Sequence, residues 1–444
     1  MGVANILQAN MEKIRPGEIP MLYEMAYSST LYNKFGKAEK NLITDTPHGS
    51  TGDFRIPLEV QPGGQYGAVD LNGGAFAPGN SAVLQQMYQT YFSTQLAFQL
   101  TIKEIRATGS SELSVFNAWK KNMKQALPSL KRYQDISLHN ITGNQGMIAH
   151  ATAVSATGTA AGNYTYTFDY EFGANLLQIG MPVEIFDDPL TTQKTTGLTI
   201  GQLPFVAAIN KQARTAVITV QSGHTLGTAT AATDYIGLPG VGATPTWMTG
   251  IYAINTTATS GNLLGLSRST YPELVTPNVN SSGTLSPLHG VLLKSLMRQR
   301  IGEYPTKLQG IITDANAYQI VQLGLAISEH QHPSKTDQAI DPVPEYTDSI
   351  TFSQVDHMID IHSSNKRMDW FDMSTWGRVY AKDGEPDFYK EDGSGRMVFT
   401  VRDSSAQPTA AVQYFLTCSE NFYCTKPANN GFIYGLVPDA AFRP

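Results

Sequence analysis

Asp53-Phe54-Arg55-Ile56-Pro57-Leu58-Glu59-Val60-Gln61-Pro62-Gly63-Gly64 alternates cleanly before it turns. Phe54, Ile56, Leu58 and Val60 fall on one face and Arg55, Pro57 and Glu59 on the other, which is the two-residue period of a β-strand. Pro57 has no N–H to give to a ladder, so this strand belongs at an edge or in an isolated ribbon. Pro62-Gly63-Gly64 is a turn signal. Gln65 to Leu71 offers a return strand, making residues 52–74 a long extended hairpin. A two-stranded ribbon is marginal by itself in water, so it needs a surface to lie on.

Downstream, after a loop over Asn72 to Asn80, Leu96, Phe98, Leu100 and Ile102 alternate with Gln95, Ala97, Gln99 and Thr101, a half-buried strand. Gly109 breaks it. Ser110 or Ser111 can cap the next helix, with Glu112 well placed against its N-terminus. From Glu112 to Asn140, Phe116, Trp119, Met123, Leu127, Leu130 and Tyr133 recur at spacings of three and four and form one apolar stripe. Lys120, Lys121, Lys124, Lys131 and Arg132 take the other side. Such a helix spans about 40 Å. Pro128 predicts a kink near Lys124 to Pro128, and Gly143 ends the helix.

Residues 146–250 change character. They are rich in Thr, Ala and Gly, and no helical period shows. Tyr164, Tyr166, Phe168 and Tyr170 alternate, and Val183–Phe186, Phe205–Ile209 and Ala216–Val220 read as further strands. From Trp247 the helix–strand mixture returns. Ser286-Pro287 starts a helix whose expected apolar side is Leu288, Val291, Leu292 and Leu296. Leu308 to Thr313 reads as a buried strand. Asp314 caps a second helix carrying Ala317, Ile320, Val321 and Leu325. His330 to Glu345 reads as a polar loop. Met397, Phe399 and Val401, then Val412, Tyr414 and Leu416, alternate again.

Composition narrows the class. A chain of 444 residues exceeds one compact core, so two or three domains are expected. Charged residues make up 15% of it, below the roughly 25% of an average soluble domain. A net charge of -6 speaks against a dedicated nucleic-acid binder, which carries a basic face. Two cysteines, Cys418 and Cys424, cannot form a disulfide framework, and the chain reads as made in a reducing compartment. No run of about 18 apolar residues appears, so no membrane span is expected. The N-terminal residues lack the apolar core of a signal peptide. The Asn-X-Ser/Thr sites at Asn140, Asn163, Asn255 and Asn280 read as chance.

Candidate chemistry is thin. His330 and His332 beside Glu329 alternate faces and have no further ligand near in sequence, so they read as a solvated loop. Cys418 and Cys424 match no zinc or redox spacing and sit in apolar sequence, so they read as buried and inert. Gly240-Val-Gly242 and Gly158-Thr-Ala-Ala-Gly162 lack the third glycine and the strand-to-helix setting of a dinucleotide fingerprint. Asp383, Glu385, Asp387, Glu391 and Asp392 are acidic without calcium-loop spacing. No nucleophile elbow, phosphate loop or zinc-protease motif occurs. No catalytic residue, metal or cofactor is therefore expected.

Hairpin, long strand and long helix stand here in the order found in the major capsid proteins of tailed phages, and the chain resembles that family. Gly261-Asn-Leu-Leu-Gly-Leu-Ser-Arg268, followed by helix, strand and helix, resembles its axial domain. Asp383-Gly-Glu-Pro-Asp-Phe-Tyr-Lys-Glu-Asp-Gly-Ser-Gly395, an aromatic strand and Gly431-Phe-Ile-Tyr-Gly435 resemble its C-terminal return to the peripheral domain. The resemblance covers nearly the whole chain except residues 146–250. It implies an α+β, Hong Kong 97-like fold with an N-terminal arm (1–50), extended hairpin loop (51–82), peripheral domain with spine helix (83–145), inserted β-rich subdomain (146–250), axial domain (251–395) and C-terminal return (396–444).

In function it implies a structural protein, not an enzyme. Copies would assemble into hexamers and pentamers of an icosahedral virion shell, built in the host cytoplasm around packaged double-stranded DNA that is held non-specifically. Other copies of the chain, a portal protein, a separate scaffolding protein and a decoration protein are the partners it implies. Intersubunit contacts are expected from Arg55, Glu59, Gln65, Tyr66 and Asp70 of the hairpin and from Arg268 of the axial domain. Phe116, Trp119, Met123, Pro128 and Tyr133 shape the spine. No lysine lies between Lys40 and Lys103, so the hairpin cannot supply the nucleophile of the covalent crosslink some members form. The alternatives are an encapsulin-type compartment shell and, from another class, a secreted β-rich carbohydrate-active enzyme, which would need a signal segment and a carboxylate pair.

Overall fold

A computed structural model describes residues 31–37, 53–61, 81, 83–101, 126, 128–302, 305, 307–331, 349–381, 385–390, 396–402 and 408–437. The chain divides into two compact units. The first holds residues 1–35, 91–138 and 379–421, and the second holds 36–90, 139–378 and 422–444.

The first unit is organised on the long strand Pro408–Cys424, which belongs to it through residue 421. Phe92–Thr101 pairs with it antiparallel, setting Leu96 opposite Leu416, Phe98 opposite Tyr414 and Leu100 opposite Val412. The alternation read from the sequence is the cause. Leu96 and Phe98 are half-buried while Gln95, Ala97 and Gln99 are exposed. Phe98 stacks on Tyr414 with ring centroids 5.1 Å apart. Phe399–Arg402 and Asp387–Phe388 add further antiparallel pairs on the same long strand.

Residues 128–138 are helical, and residues 112–125 of the expected spine lie outside the described residues, as does most of the expected kink. Phe116, Trp119 and Met123 fall there too. Two expectations are corrected. Lys131, placed on the solvent side by the stripe, is buried, together with Gln134, Asp135 and Ser137, so this end of the helix is enclosed all round. The helix also stops at residue 138 instead of Asn140. Polar partners offset the burial of Asp135 and Ser137: the Asp135 carboxylate accepts from Tyr32 N at 3.1 Å and Ser137 Oγ donates to Tyr133 O at 2.7 Å.

The second unit contains two six-stranded sheets. One is wholly antiparallel, in the order 184–186, 235–237, 147–154, 162–168, 215–220, 205–210. Tyr164, Tyr166 and Phe168 face its interior with Ala216, Ile218 and Val220. Tyr170 lies past the strand's end, where the Arg214 guanidinium stacks on it at 4.1 Å.

The other sheet is mixed, in the order 278–283, 431–436, 367–372, 308–312, 355–359, 349–352, flanked by helices Pro287–Ile301 and Asp314–Gln331. Gly431–Gly435, expected in the return to the peripheral domain, thus sits inside this sheet. The Asp314–Gln331 helix opens with Asp314 in its first turn and ends at Gln331, so it takes His330 and Gln331 from the expected loop. Ser286 caps the Pro287–Ile301 helix, its hydroxyl accepting from Leu288 N at 3.4 Å while Ser286 N donates to His289 Nδ1 at 3.2 Å.

The buried face of that helix differs from the expected one. Gly290, Leu293 and Met297 face the core, whereas Leu288, Val291 and Leu292 point outward at 73%, 61% and 49% exposure. Gly290 is the reason, because a Cβ there would meet Ser353 Oγ at 2.1 Å. The helix settles on the face where its backbone can approach most closely, and Leu296 packs at the core's margin.

Two buried polar arrangements tie this core. Arg367 donates to both Asp369 oxygens, at 2.9 and 2.5 Å, and lies over the Phe432 and Tyr252 rings at 4.1 and 4.6 Å. Burial opposes the guanidinium's charge, but Asp369 outweighs it and holds the group protonated. Trp370 Nε1 donates to His357 Nε2 at 2.7 Å, and His357 Nδ1 donates to Val355 O at 2.8 Å. Burial depresses the imidazole to a pKa of about 4, so it is neutral. Among the described residues no helix is long and apolar enough to cross a membrane.

Candidate assembly interface

The hairpin is present, with a correction to its return strand. Asp53–Gln61 pairs antiparallel with Val83–Thr90; the expected return strand, residues 65–71, lies outside the described residues, and Gln65, Tyr66 and Asp70 with it. The paired strands are therefore further apart in sequence than the Pro62-Gly63-Gly64 turn signal implied. Val83-Leu84-Gln85-Gln86-Met87-Tyr88-Gln89-Thr90 carries β-formers and could have been read as the partner.

Among the described residues the ribbon has two strands, and Pro57 there costs no ladder bond on a third. One face sets Phe54 opposite Gln89, Ile56 opposite Met87 and Leu58 opposite Gln85. The other sets Arg55 opposite Tyr88, Pro57 opposite Gln86 and Glu59 opposite Leu84.

Burial grades along its length. At the root Phe54, Ile56, Met87 and Gln89 are buried, whereas Leu84, further out, is 68% exposed and Val83 beside it is exposed too. The root is tied by specific bonds. Tyr88 N donates to Leu264 O at 2.9 Å, and Gln89 Nε2 donates to Thr249 Oγ1. Phe54 meets Tyr423 edge-on at 6.4 Å. Gly265, at φ +86°, turns the short 262–267 ribbon under Tyr88; a Cβ there would sit 3.3 Å from that ring.

Arg55 is half-buried with its guanidinium 5.6 Å from the Tyr88 ring centre, so its stem packs on its own ribbon. Arg268 is buried within the subunit. Its Nη2 donates to Ala253 O at 2.6 Å and its N to Gly261 O at 2.9 Å, which fixes the turn that receives the hairpin root. Burial lowers its guanidinium pKa. Pro128 and Tyr133 are half-buried in the helical segment. Arg55 lies by Tyr88, and Arg268 fixes the turn whose Leu264 O accepts from Tyr88 N, a relation their separation in sequence does not reveal. Gln-rich β-sequence has no distinctive signature, so Tyr88, Gln89 and Leu84 do not stand out in the sequence.

Elsewhere Cys424 is buried and its thiol is pushed up to about 11 by that burial, which makes it unreactive. Cys418 is buried as well. The side chains of His330 and His332 lie outside the described residues, as do Asp383, Glu391 and Asp392.

No protein-family model and no curated protein sequence matches this chain. Solved structures do. It is similar to the cyanophage A-1(L) capsid subunit at 10% identity and a TM-score of 0.50, over 89% of this chain and 91% of that one. A Gordonia phage Cozz protein aligns at 8% identity over 93% and 87% with a TM-score of 0.42. The SrpI encapsulin of Synechococcus elongatus PCC 7942 aligns at 8% over 80% and 78% with a TM-score of 0.35. These last two superpose too loosely to bear on the fold. The cyanophage subunit, aligned over about nine-tenths of both chains, carries the conclusion as to fold: this chain has the α+β, Hong Kong 97-like fold seen in tailed-phage capsid subunits.

Proposed function

We propose that this chain is the major capsid protein of a tailed phage, whose copies close into hexamers and pentamers of an icosahedral head around double-stranded DNA. One observation carries the reading beyond the fold. A two-stranded ribbon tied firmly at its root presents Val83 and Leu84 to solvent, and a ribbon of this kind is marginal until another surface covers it. A neighbouring copy supplies that surface. Arg55, Glu59, Gln65, Tyr66 and Asp70 make the contact along the arm, and Arg268 acts from beneath it by fixing the turn at the root. Many weak repeated contacts then give a strong shell. A portal protein, a separate scaffolding protein, a decoration protein and non-specifically held DNA are the partners of such a head.

Negative-stain electron microscopy of the purified full chain, with and without a candidate scaffolding protein, tests this. Closed shells or curved hexameric sheets are expected. Monodisperse monomers under all these conditions refute it. Shells that enclose a protein cargo and no DNA in the native host favour the compartment alternative.

A further inference from the structure

In the antiparallel sheet of the second unit, Lys194 and Asp234 meet in a closed environment. Lys194 Nζ lies 2.6 Å from Asp234 Oδ1, and the two side chains are 4% and 0% exposed. Nζ also donates to Ala229 O at 2.7 Å, which aims it across the carboxyl group. The second oxygen, Oδ2, accepts from Ala231 N at 2.8 Å and from the Tyr166 hydroxyl at 3.2 Å. The two oxygens are therefore distinguished: one faces an amine and the other faces two donors.

We propose that Lys194 and Asp234 condense to an intramolecular isopeptide bond that ties the edge of this sheet covalently. The ion pair already holds the atoms required. One proton passes from Nζ to Oδ1, leaving a neutral amine beside a neutral carboxyl. The nitrogen lone pair then attacks Cγ. A C–N bond forms and the carbonyl electrons move onto Oδ2, where Ala231 N–H and Tyr166 O–H receive the charge, the role of an oxyanion hole. A second proton passes from nitrogen to Oδ1, the Cγ–Oδ1 bond breaks, and water leaves. No oxidant, metal or cofactor enters.

Three features favour the step over an ordinary buried ion pair. Fixed proximity removes the entropic cost of bringing the groups together. Burial raises the Asp234 carboxyl pKa, towards the neutral form the step needs, although the hydrogen bonds from Lys194 and Ala231 oppose it. Burial and Asp234 together push the Tyr166 hydroxyl pKa far up, so it remains a donor throughout. Lys194 follows the strand 184–186 and Asp234 precedes 235–237, which pair with each other at the sheet's edge. The bond would lock that edge, in a chain whose two cysteines form no disulfide. The inference does not rest on the shell reading.

Mass spectrometry of the denatured full chain, followed by tryptic mapping, tests it. The expected result is a chain lighter than its sequence by one water, with trypsin unable to cut after Lys194 and a branched peptide joining that segment to the one containing Asp234. Lys194→Arg restores the full sequence mass. Tyr166→Phe closes more slowly and leaves a measurable uncondensed fraction. Folded wild-type protein at full sequence mass, cleaved normally after Lys194, overturns the proposal. So does a water loss that maps elsewhere, such as to a succinimide.

Discussion

Acid should weaken the second unit through His357. The ring is fully buried, accepts from Trp370 through Nε2 and donates to Val355 through Nδ1. Its folded pKa of about 4 lies below the ordinary 6.5. Above pH 6.5 the imidazole is neutral in both the folded and unfolded chain, and its contribution is complete. As the pH falls from 6.5 towards 4, the unfolded chain binds a proton that the folded chain excludes, so stability declines. Once the pH passes below about 4 both states are protonated and the decline from this group stops. The full difference is about 3 kcal/mol, a large part of the ~5–15 kcal/mol by which folded domains are stable. Urea unfolding of dissociated subunits across this window, followed by tryptophan fluorescence, measures it for the wild type and for His357→Gln. Glutamine takes up no proton. The variant should start less stable yet lose about 3 kcal/mol less on acidification. Parallel pH profiles would refute the reasoning. Asp360 does not confuse the result. Burial alone would raise its carboxyl, but His139 and His362 outweigh that and hold it at about 2, so its loss falls below pH 3.8.

Other substitutions separate folding from assembly. Leu84→Asp alters a 68% exposed side chain, so subunit stability should change by less than about 0.5 kcal/mol while particle yield by electron microscopy collapses. Gly310→Ala puts a Cβ 2.0 Å from His357 Cδ2, and the resulting overpacking should cost about 1–3 kcal/mol in denaturant unfolding. Asp369→Ala strands the buried Arg367 charge and should cost about 3–5 kcal/mol, visible as a large fall in unfolding midpoint. Ser286→Ala removes the cap of the Pro287–Ile301 helix and should cost about 1 kcal/mol by the same assay.

What the sequence made legible was periodicity. Phe54 to Val60, Leu96 to Leu100 and Val412 to Leu416 alternate, and each became a strand, with Phe54, Ile56, Val412, Tyr414 and Leu416 buried as expected. The capped start at Ser286-Pro287 was legible for the same reason, since a local signal has a local cause. Pairing was not. The partner of Asp53–Gln61 begins at Val83, beyond a turn signal that pointed nearer. Nor was the burial of Lys131 or the inward turn of Gly290 legible, because both depend on what packs opposite. A glycine reads as a weak helix former, yet here its missing side chain decides which face of the helix reaches the core. Arg268 shows the limit for the interface. The resemblance implied an intersubunit contact for it; within the subunit it is buried and donates to Ala253 O.

The strand Gly431–Leu436 lies inside the mixed sheet, parallel to Asn278–Gly283 on one side and antiparallel to Arg367–Asp372 on the other. A growing chain therefore reaches residue 430 with the place between the edge strand and the rest of that sheet still unfilled. Arg367–Asp372 can pair with Leu308–Ile312 earlier, but neither neighbour can pair on the side facing Gly431–Leu436 until that strand is synthesised. Loop closure over such sequence separations is slow, and until it happens two hydrogen-bonding edges stand open to other chains. On crowded ribosomes, where many nascent copies lie side by side, that interval is when a chaperone has most to protect.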